Sequence, residues 1–490
     1  MPPKSALIIG AGIAGIATAI RLAVKDYKVD VYEAGPQAGG KLTELKKDGY
    51  RFDAGPSLFT MPQYVDELFT LAGKNPSDYF KYQRLDVVCN YFYEDGVRIK
   101  AFADKGKLAR EIMMRTGESR EAILKHMNYS SRIYRVTNPV FLQRSLHRLK
   151  TYFSFKTLLS LVQIFKIDAF RSMHNANKRF FNDKRIVQYF DRYATYNGSN
   201  PYQAPATLNV IPHLEQEYGA WFPVGGMYSI TTSLVQLAES LGVTFHYNSP
   251  VTEIILEGRK ATGIKVKEDI VKGDIVVSNA DIWFTYKKLL KAHPKLHPTA
   301  ALKQATSSSA VVFYWGIKKE FEMLGLHNIF FSDDSRREFE CIWKRNTIYS
   351  DPTIYLNISA RMQPADAPPG CENWFVMVNA PANTNQNWEH VIDITRQAIL
   401  KKLSGHLGQD IGRLIVSESV LDPRGIAQRT GSYKGAIYGA ASNSAFSAFL
   451  RHANRSKKIP NLYFCGGSVH PGGGIPLALL SAKITANWIG

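Results

Sequence analysis

The stretch from Ala6 to Glu33 constrains this chain more than any other. Ala6-Leu7-Ile8-Ile9 is a short apolar run suited to a strand buried on both faces. It runs straight into Gly10-Ala11-Gly12-Ile13-Ala14-Gly15, and a helical pattern follows through Ile16, Ala19, Ile20 and Ala23. Lys28-Val29-Asp30-Val31-Tyr32 reads as a second strand, with Glu33 at its end. Gly10 permits the tight turn, Gly12 lets the backbone approach a pyrophosphate, and Gly15 lets helix and strand pack closely. The amides of Ile13 and Ala14 open the helix, where free N–H groups and the helix dipole favour phosphate. Glu33 stands where an acid takes ribose hydroxyls, and its charge disfavours a 2′-phosphate. A G-x-G-x-x-G alone says little. Strand, turn, helix, strand and acid in register specify a dinucleotide site.

With 490 residues the chain is too long for one ordinary core, so two or three packed units are expected. The four cysteines, Cys89, Cys341, Cys371 and Cys465, lie far apart and read as reduced, mostly buried thiols. A formal net charge of +19 favours a polyanionic partner. No nucleic-acid-binding signature accompanies it, so an anionic membrane surface is the better reading, beside the plainer one that a basic surface keeps the protein soluble. No run of 18 apolar residues is present, so the chain is expected to be soluble or monotopic.

After Glu33 come Gly39-Gly40-Lys41 and then Tyr50-Arg51-Phe52-Asp53-Ala54-Gly55-Pro56-Ser57-Leu58. This order resembles the flavin-dependent amine oxidase and carotenoid desaturase superfamily. The resemblance implies FAD. It places Gly40 and Lys41 near the ribose and phosphates, Ser57 and Leu58 near the flavin, and the backbone of Val251 against the adenine. The plainer alternative for Lys41 is a surface lysine.

From about Leu108 to Arg192 glycine becomes rare and long helical patterns take over. Leu158, Leu161, Val162, Phe165 and Ala169 fall at helical spacing among many lysines and arginines. Two readings fit: a helix lying in a membrane interface, or an ordinary helical insertion packed on the sheet. Residues 228–241 read as a helix, and four strands are expected between 243 and 278, ending at Asn279-Ala280-Asp281 and rejoining the nucleotide-binding sheet. Alternation near 310–315 and 374–378 predicts an antiparallel sheet for a substrate unit.

Asn461-Leu462-Tyr463-Phe464-Cys465 is a strand, followed by Gly466-Gly467-Ser468-Val469-His470-Pro471-Gly472-Gly473-Gly474-Ile475-Pro476 and a helix from Leu477 to Ile489. A strand running through glycines into a helix start again accepts an anion, here the flavin's pyrimidine edge. The phrases PYQAPATLNVIPHLE, GAWFPVGGM, VVSNAD and NLYFCGGSVHPGGGIPLALLSA are similar to bacterial phytoene-desaturase-type carotenoid desaturases, in the right order along nearly the whole chain. The segment SVHPGGGIPLALLSA is most similar to the 1-hydroxycarotenoid 3,4-desaturase branch.

The expected fold is therefore α/β, with a discontinuous Rossmann-like FAD-binding domain from 1–107, 228–290 and 455–490. A helical, membrane-associating insertion spans 108–192, and an α+β substrate domain takes 193–227 and 291–454. The expected cofactor contacts are Gly10, Gly12, Ile13, Ala14, Gly15, Glu33, Gly40, Lys41, Ser57, Leu58, Val251, Asn279, Gly467, Ser468, Gly474, Ile475, Pro476 and Leu477. The resemblance implies desaturation of an acyclic, 1-hydroxylated carotenoid end, with the flavin accepting hydride. Asp53, His213, Glu215, Glu217 and His470 read as structural hydrogen-bonders, so no catalytic residue is assigned and no metal is expected. No second G-x-G-x-x-G is present to bind a nicotinamide, which leaves oxygen or a membrane quinone as electron acceptor. The expected place is the cytoplasm, peripherally on the cytoplasmic membrane, with no nucleic-acid partner. The alternatives are another polyene-acting flavoenzyme (phytoene desaturase, isomerase or saturase) or a non-enzymatic prenyl-lipid carrier.

Overall fold

The computed structural model describes residues 3–145, 147, 167–444 and 451–490. The helical pattern read at 158–169 lies almost wholly outside them.

The strand Ser5–Ile9 forms the middle of a five-stranded sheet, flanked by Lys28–Tyr32 and then Thr244–His246 on one side. Ile275–Ser278 and then Leu462–Phe464 lie on the other. All four pairings are parallel. A parallel sheet must be covered on both faces, which is why its strands are apolar runs rather than alternations. The helix Ile13–Ala23 covers one face and packs against the helices Tyr228–Ser240 and Ile475–Ile489. Both ends of the chain thus share one core, running from Ala6 through Ile16 to Leu479.

Of the four strands expected between 243 and 278, Thr244–His246 and Ile275–Ser278 rejoin that sheet. The other two, Val251–Glu257 and Lys260–Val266, do not. With Asp269–Lys272 they form a separate antiparallel sheet. Two-residue turns join these three strands, and such turns can make only antiparallel neighbours.

The second large sheet has seven strands in the order Ile415–Leu421, Ser309–Ile317, Glu372–Ala380, Ile354–Ile358, His327–Phe330, Val87–Phe92 and Arg98–Phe102. Its centre is the antiparallel pair read from alternation, with Trp315 opposite Trp374 and both fully buried. Residues 87–102, grouped by sequence with the nucleotide unit, pair here instead. The helix Trp388–Leu407 covers one face. A layer from the helices Lys105–Thr116, Arg120–Thr137 and Lys184–Asp191 covers part of the other, while Tyr50 and Phe52 pack on the rest. Among the described residues no helix is long and apolar enough to cross a membrane.

Candidate active site

The turn after the first strand is built as its glycines demand. Gly10 has φ +95°, and its amide donates to Tyr32 O at 2.8 Å. A Cβ on Gly15 would lie 2.2 Å from Gly10 O, so only glycine lets the helix start this close to the strand. Gly12 caps the helix without a side-chain acceptor, and the first turn carries no acidic residue. The amides of Ile13 and Ala14 are therefore left for a ligand anion. Glu33 lies beside them: its Oε2 accepts from Ala11 N at 2.7 Å and its Oε1 from Gly35 N at 2.8 Å. Gly39 N donates to Ala11 O at 2.8 Å, and Gly40, at φ +59°, backs onto Gly12. The turn leading to Val251 runs along the acid, with Ser249 N donating to Glu33 O at 2.8 Å and Asn248 N to Gly35 O at 2.9 Å. Acceptor-free amides, a carboxylate beside them and glycines where a side chain would collide fit the ADP half of FAD.

Asn279 joins this cradle to the chain's other end. Its Nδ2 donates to Cys465 O at 3.2 Å. Its Oδ1 would lie 2.6 Å from a Cβ on Gly12, and its Nδ2 would lie 2.7 Å from one on Gly466. Both glycine turns thus close on one amide. Beyond it, Ser468 Oγ accepts from Ile282 N at 3.0 Å. Gly474, at φ +98°, caps the helix Ile475–Ile489, with Pro476 in its first turn and no acidic residue there. Ile475 is buried in the first core and Leu477 packs against it. These amides are again free for an electron-rich partner.

Two cations, half-buried Lys41 and buried Arg451, lie against the carbonyls of 436–440, and Arg451 also holds the turn at Gly467. Lys41 is not a surface lysine: its Nζ donates to Ile437 O at 2.5 Å and to Ala436 O at 3.3 Å. Burial pulls its pKa down to about 8, and the Asp281 carboxylate partly restores it. Arg451 was not singled out by sequence, where it reads as one more charge in a basic run. It is 2% exposed and donates to Tyr438 O at 2.7 Å, Ala440 O at 2.8 Å, Gly467 O at 3.0 Å and Asn197 Oδ1 at 3.2 Å. Burial lowers its pKa to about 10. Among the described residues neither cation has a carboxylate within ion-pair distance. A charge left so is costly to hold, and the carbonyl acceptors offset only part of that cost.

Ser57 and Leu58 lie away from the glycine turns, facing the second sheet. Ser57 Oγ is 2.6 Å from Tyr355 OH, and Leu58 packs against the core under the helical layer. The polar residues read as structural are engaged in that way. Asp53 accepts from Arg51 Nη2 at 2.7 Å and Met227 N at 2.9 Å, and Glu215 accepts from the hydroxyls of Tyr193 and Tyr196. Glu217 pairs with Lys105 at the surface, and His213 lies against the Tyr134 ring. His470 is held neutral by burial, its pKa lowered to about 4, and its Nε2–H donates to Arg144 O at 2.9 Å. Among the described residues no group of His, Cys, Asp and Glu could hold a metal ion.

A family profile described as flavin containing amine oxidoreductase matches residues 13–489. A 1-hydroxycarotenoid 3,4-desaturase from a Flavobacterium species is 47% identical over 486 residues, covering 99% of each chain. A 4,4′-diapolycopene oxygenase from a Methylomonas species is 33% identical over 494 residues, covering 99% of this chain and 97% of its own. Among solved structures, a putrescine oxidase redesigned in its cofactor binding superposes with a TM-score of 0.65 at 15% identity, covering 99% of this chain and 98% of its own. The two-sheet fold, the flavin cradle and these similarities make the protein an FAD-dependent oxidoreductase. The chain belongs to the flavin-containing amine oxidoreductase family, in its carotenoid-desaturase branch.

Proposed function

We propose that this protein is an FAD-dependent carotenoid desaturase that introduces a C=C bond at C-3,4 of an acyclic end carrying a C-1 hydroxyl. The observation that carries this reading is the 47% identity to a 1-hydroxycarotenoid 3,4-desaturase across 99% of both chains. The residues themselves agree with it. Removing hydrogen from such a carbon is beyond any side chain here, and bound FAD supplies the hydride acceptor. What remains for the chain is to hold the cofactor through Gly10, Gly12, Gly15, Glu33 and Asn279, to present the amides before Ile475–Ile489, and to keep water out.

Electrons leave to oxygen or a quinone, and the protein works peripherally on an anionic membrane. The net charge of +19 supports the membrane part. So does Phe170, 93% exposed and followed by Arg171, at the edge of the basic segment. The test is incubation with an acyclic 1-hydroxycarotenoid and product analysis. The expected product has two hydrogens fewer and absorbs at longer wavelength. Several relatives at 30–33% identity are named oxygenases, so a gain of oxygen mass would move the protein to that reading. A changed spectrum at constant mass would make it an isomerase.

A further inference from the structure

On the second sheet, one buried histidine has a hydrogen-bond donor with nothing to receive it. His327 is 4% exposed, and its Nε2 has no partner. Its protonation is set by the neighbours of the other nitrogen. Asn357 Nδ2, which also donates to Leu326 O at 3.1 Å, approaches Nδ1 at 3.1 Å. The Leu326 carbonyl can only accept, which fixes the amide's orientation, so Nδ1 must accept from Asn357 and the hydrogen sits on Nε2. Burial and the nearby Arg192 charge lower the pKa to about 3, so the ring is a neutral donor and not a base. An N–H buried without a partner costs about as much as a lost hydrogen bond, and a fold keeps one where a ligand meets it.

The surroundings say what that ligand offers. Tyr91 pairs with Ile329 across the parallel strands, and His327 lies two residues before Ile329, so His327 and Tyr91 share a face. Arg192 lies over that face, 4.9 Å from the Tyr91 ring. Its Nε and the Tyr91 hydroxyl also lack an oxygen or nitrogen partner. Two N–H donors and one hydroxyl therefore point to a ligand oxygen, which can accept from nitrogen and, as a hydroxyl, donate to Tyr91. The Arg192 segment leads on to the second glycine turn: the short helix Arg192–Asn197 ends at Asn197, whose Oδ1 accepts from Arg451 Nη2 at 3.2 Å, and Arg451 Nη1 donates to Gly467 O at 3.0 Å. That proximity matters. Only four bonds of about 1.5 Å separate a C-1 oxygen from C-4, so the oxygen sits within about 5 Å of the reacting bond and its hydrogen-bond partner within about 8 Å.

We propose that His327 Nε2–H donates to the oxygen of the substrate's C-1 hydroxyl and so selects hydroxylated ends; this rests on the desaturase reading above. The FAD-loaded protein and the variants His327→Leu and His327→Gln are compared on a 1-hydroxycarotenoid and on the same polyene without oxygen. The readouts are the ratio of kcat/KM between the two and the ratio of Kd, taken from the perturbation of flavin absorbance. In His327→Leu the preference for the hydroxylated end falls by roughly 5- to 150-fold, the loss of one buried hydrogen bond. In His327→Gln, whose amide still donates, part of it returns. An equal loss on both substrates, or an unchanged ratio, overturns the proposal. A wild type that binds both polyenes and desaturates neither overturns the desaturase reading, while the Kd ratio still decides the role of His327. A wild type that binds neither overturns both.

Discussion

Gly15→Ala tests whether the glycine turn is the cofactor's cradle. The added methyl would sit 2.2 Å from Gly10 O and 3.0 Å from Asn279 Oδ1. The first obstacle is backbone of the central strand and cannot rotate away. Helix and strand must therefore part by about 1 Å to restore an ordinary contact. Such overpacking costs about 1–3 kcal/mol, and a clash with backbone belongs near 3. The shift also carries the amides of Ile13 and Ala14 off the pyrophosphate. Losing a hydrogen bond to a charged group costs about 1.5–3 kcal/mol, which raises the FAD Kd about 10- to 150-fold. Deflavinated protein titrated with FAD, followed by flavin fluorescence, gives the Kd, and urea unfolding gives the stability. Gly405→Ala is the control: Gly405 lies inside the helix Trp388–Leu407 with open space around it, so alanine there should be neutral or stabilise by about 0.5–1 kcal/mol. If Gly15→Ala matches wild type in both Kd and urea midpoint, the turn does not cradle a cofactor.

Glu33→Ala leaves the amides of Ala11 and Gly35 without their acceptor and takes a charge from the ribose; FAD binding should weaken by about 1–3 kcal/mol, read as flavin retained through gel filtration. Lys41 gives a pH signature in the apo-protein. Its folded pKa of about 8 lies below the ordinary lysine value of 10.5, so the unfolded chain binds more protons between them and stability rises with pH across that window. Apo Lys41→Met should accordingly be the more stable protein below pH 8, with its advantage shrinking towards pH 10.5; a constant difference from pH 7 to 10.5 would refute this. The protein should sediment with vesicles containing anionic lipid and leave them as salt rises. Equal binding to neutral vesicles would remove the electrostatic part, and no binding the whole claim.

Both glycine turns were legible because the constraint at each is local. A backbone that must bend at φ +95° or pass within a side chain's width of its neighbour admits only glycine, so the residue type announces the geometry. The central strands were legible for a similar reason, since a strand covered on both faces must be apolar throughout. What escaped depends on distant partners. Arg451 looks like a surface charge, and the partners of Lys41 stay hidden, because nothing in a sequence shows that carbonyls of 436–440 fold over them. Val251–Glu257 and Val87–Phe92 have clear strand propensity, but propensity does not say which sheet receives a strand. Asn279 was read as a site residue at the end of a strand, but its role as the tie between the two turns needed the other end of the chain. His327 sits in an unremarkable strand, and only the neighbours of its two nitrogens set it apart.

The shared core of the two termini sets an order of events during synthesis. The helix Ile13–Ala23 leaves the ribosome early, but its packing partner Ile475–Ile489 and the strand Leu462–Phe464 emerge more than four hundred residues later. At about 5–20 residues per second, the first glycine turn waits tens of seconds for the segment that completes its surroundings. Flavin loading must therefore follow translation rather than accompany it. A stop codon ahead of Leu462 would leave a polypeptide with its fingerprint intact and no working pocket. Yellow colour in a purified preparation would thus be a proofreading mark, reporting that synthesis had passed through Ile475–Ile489.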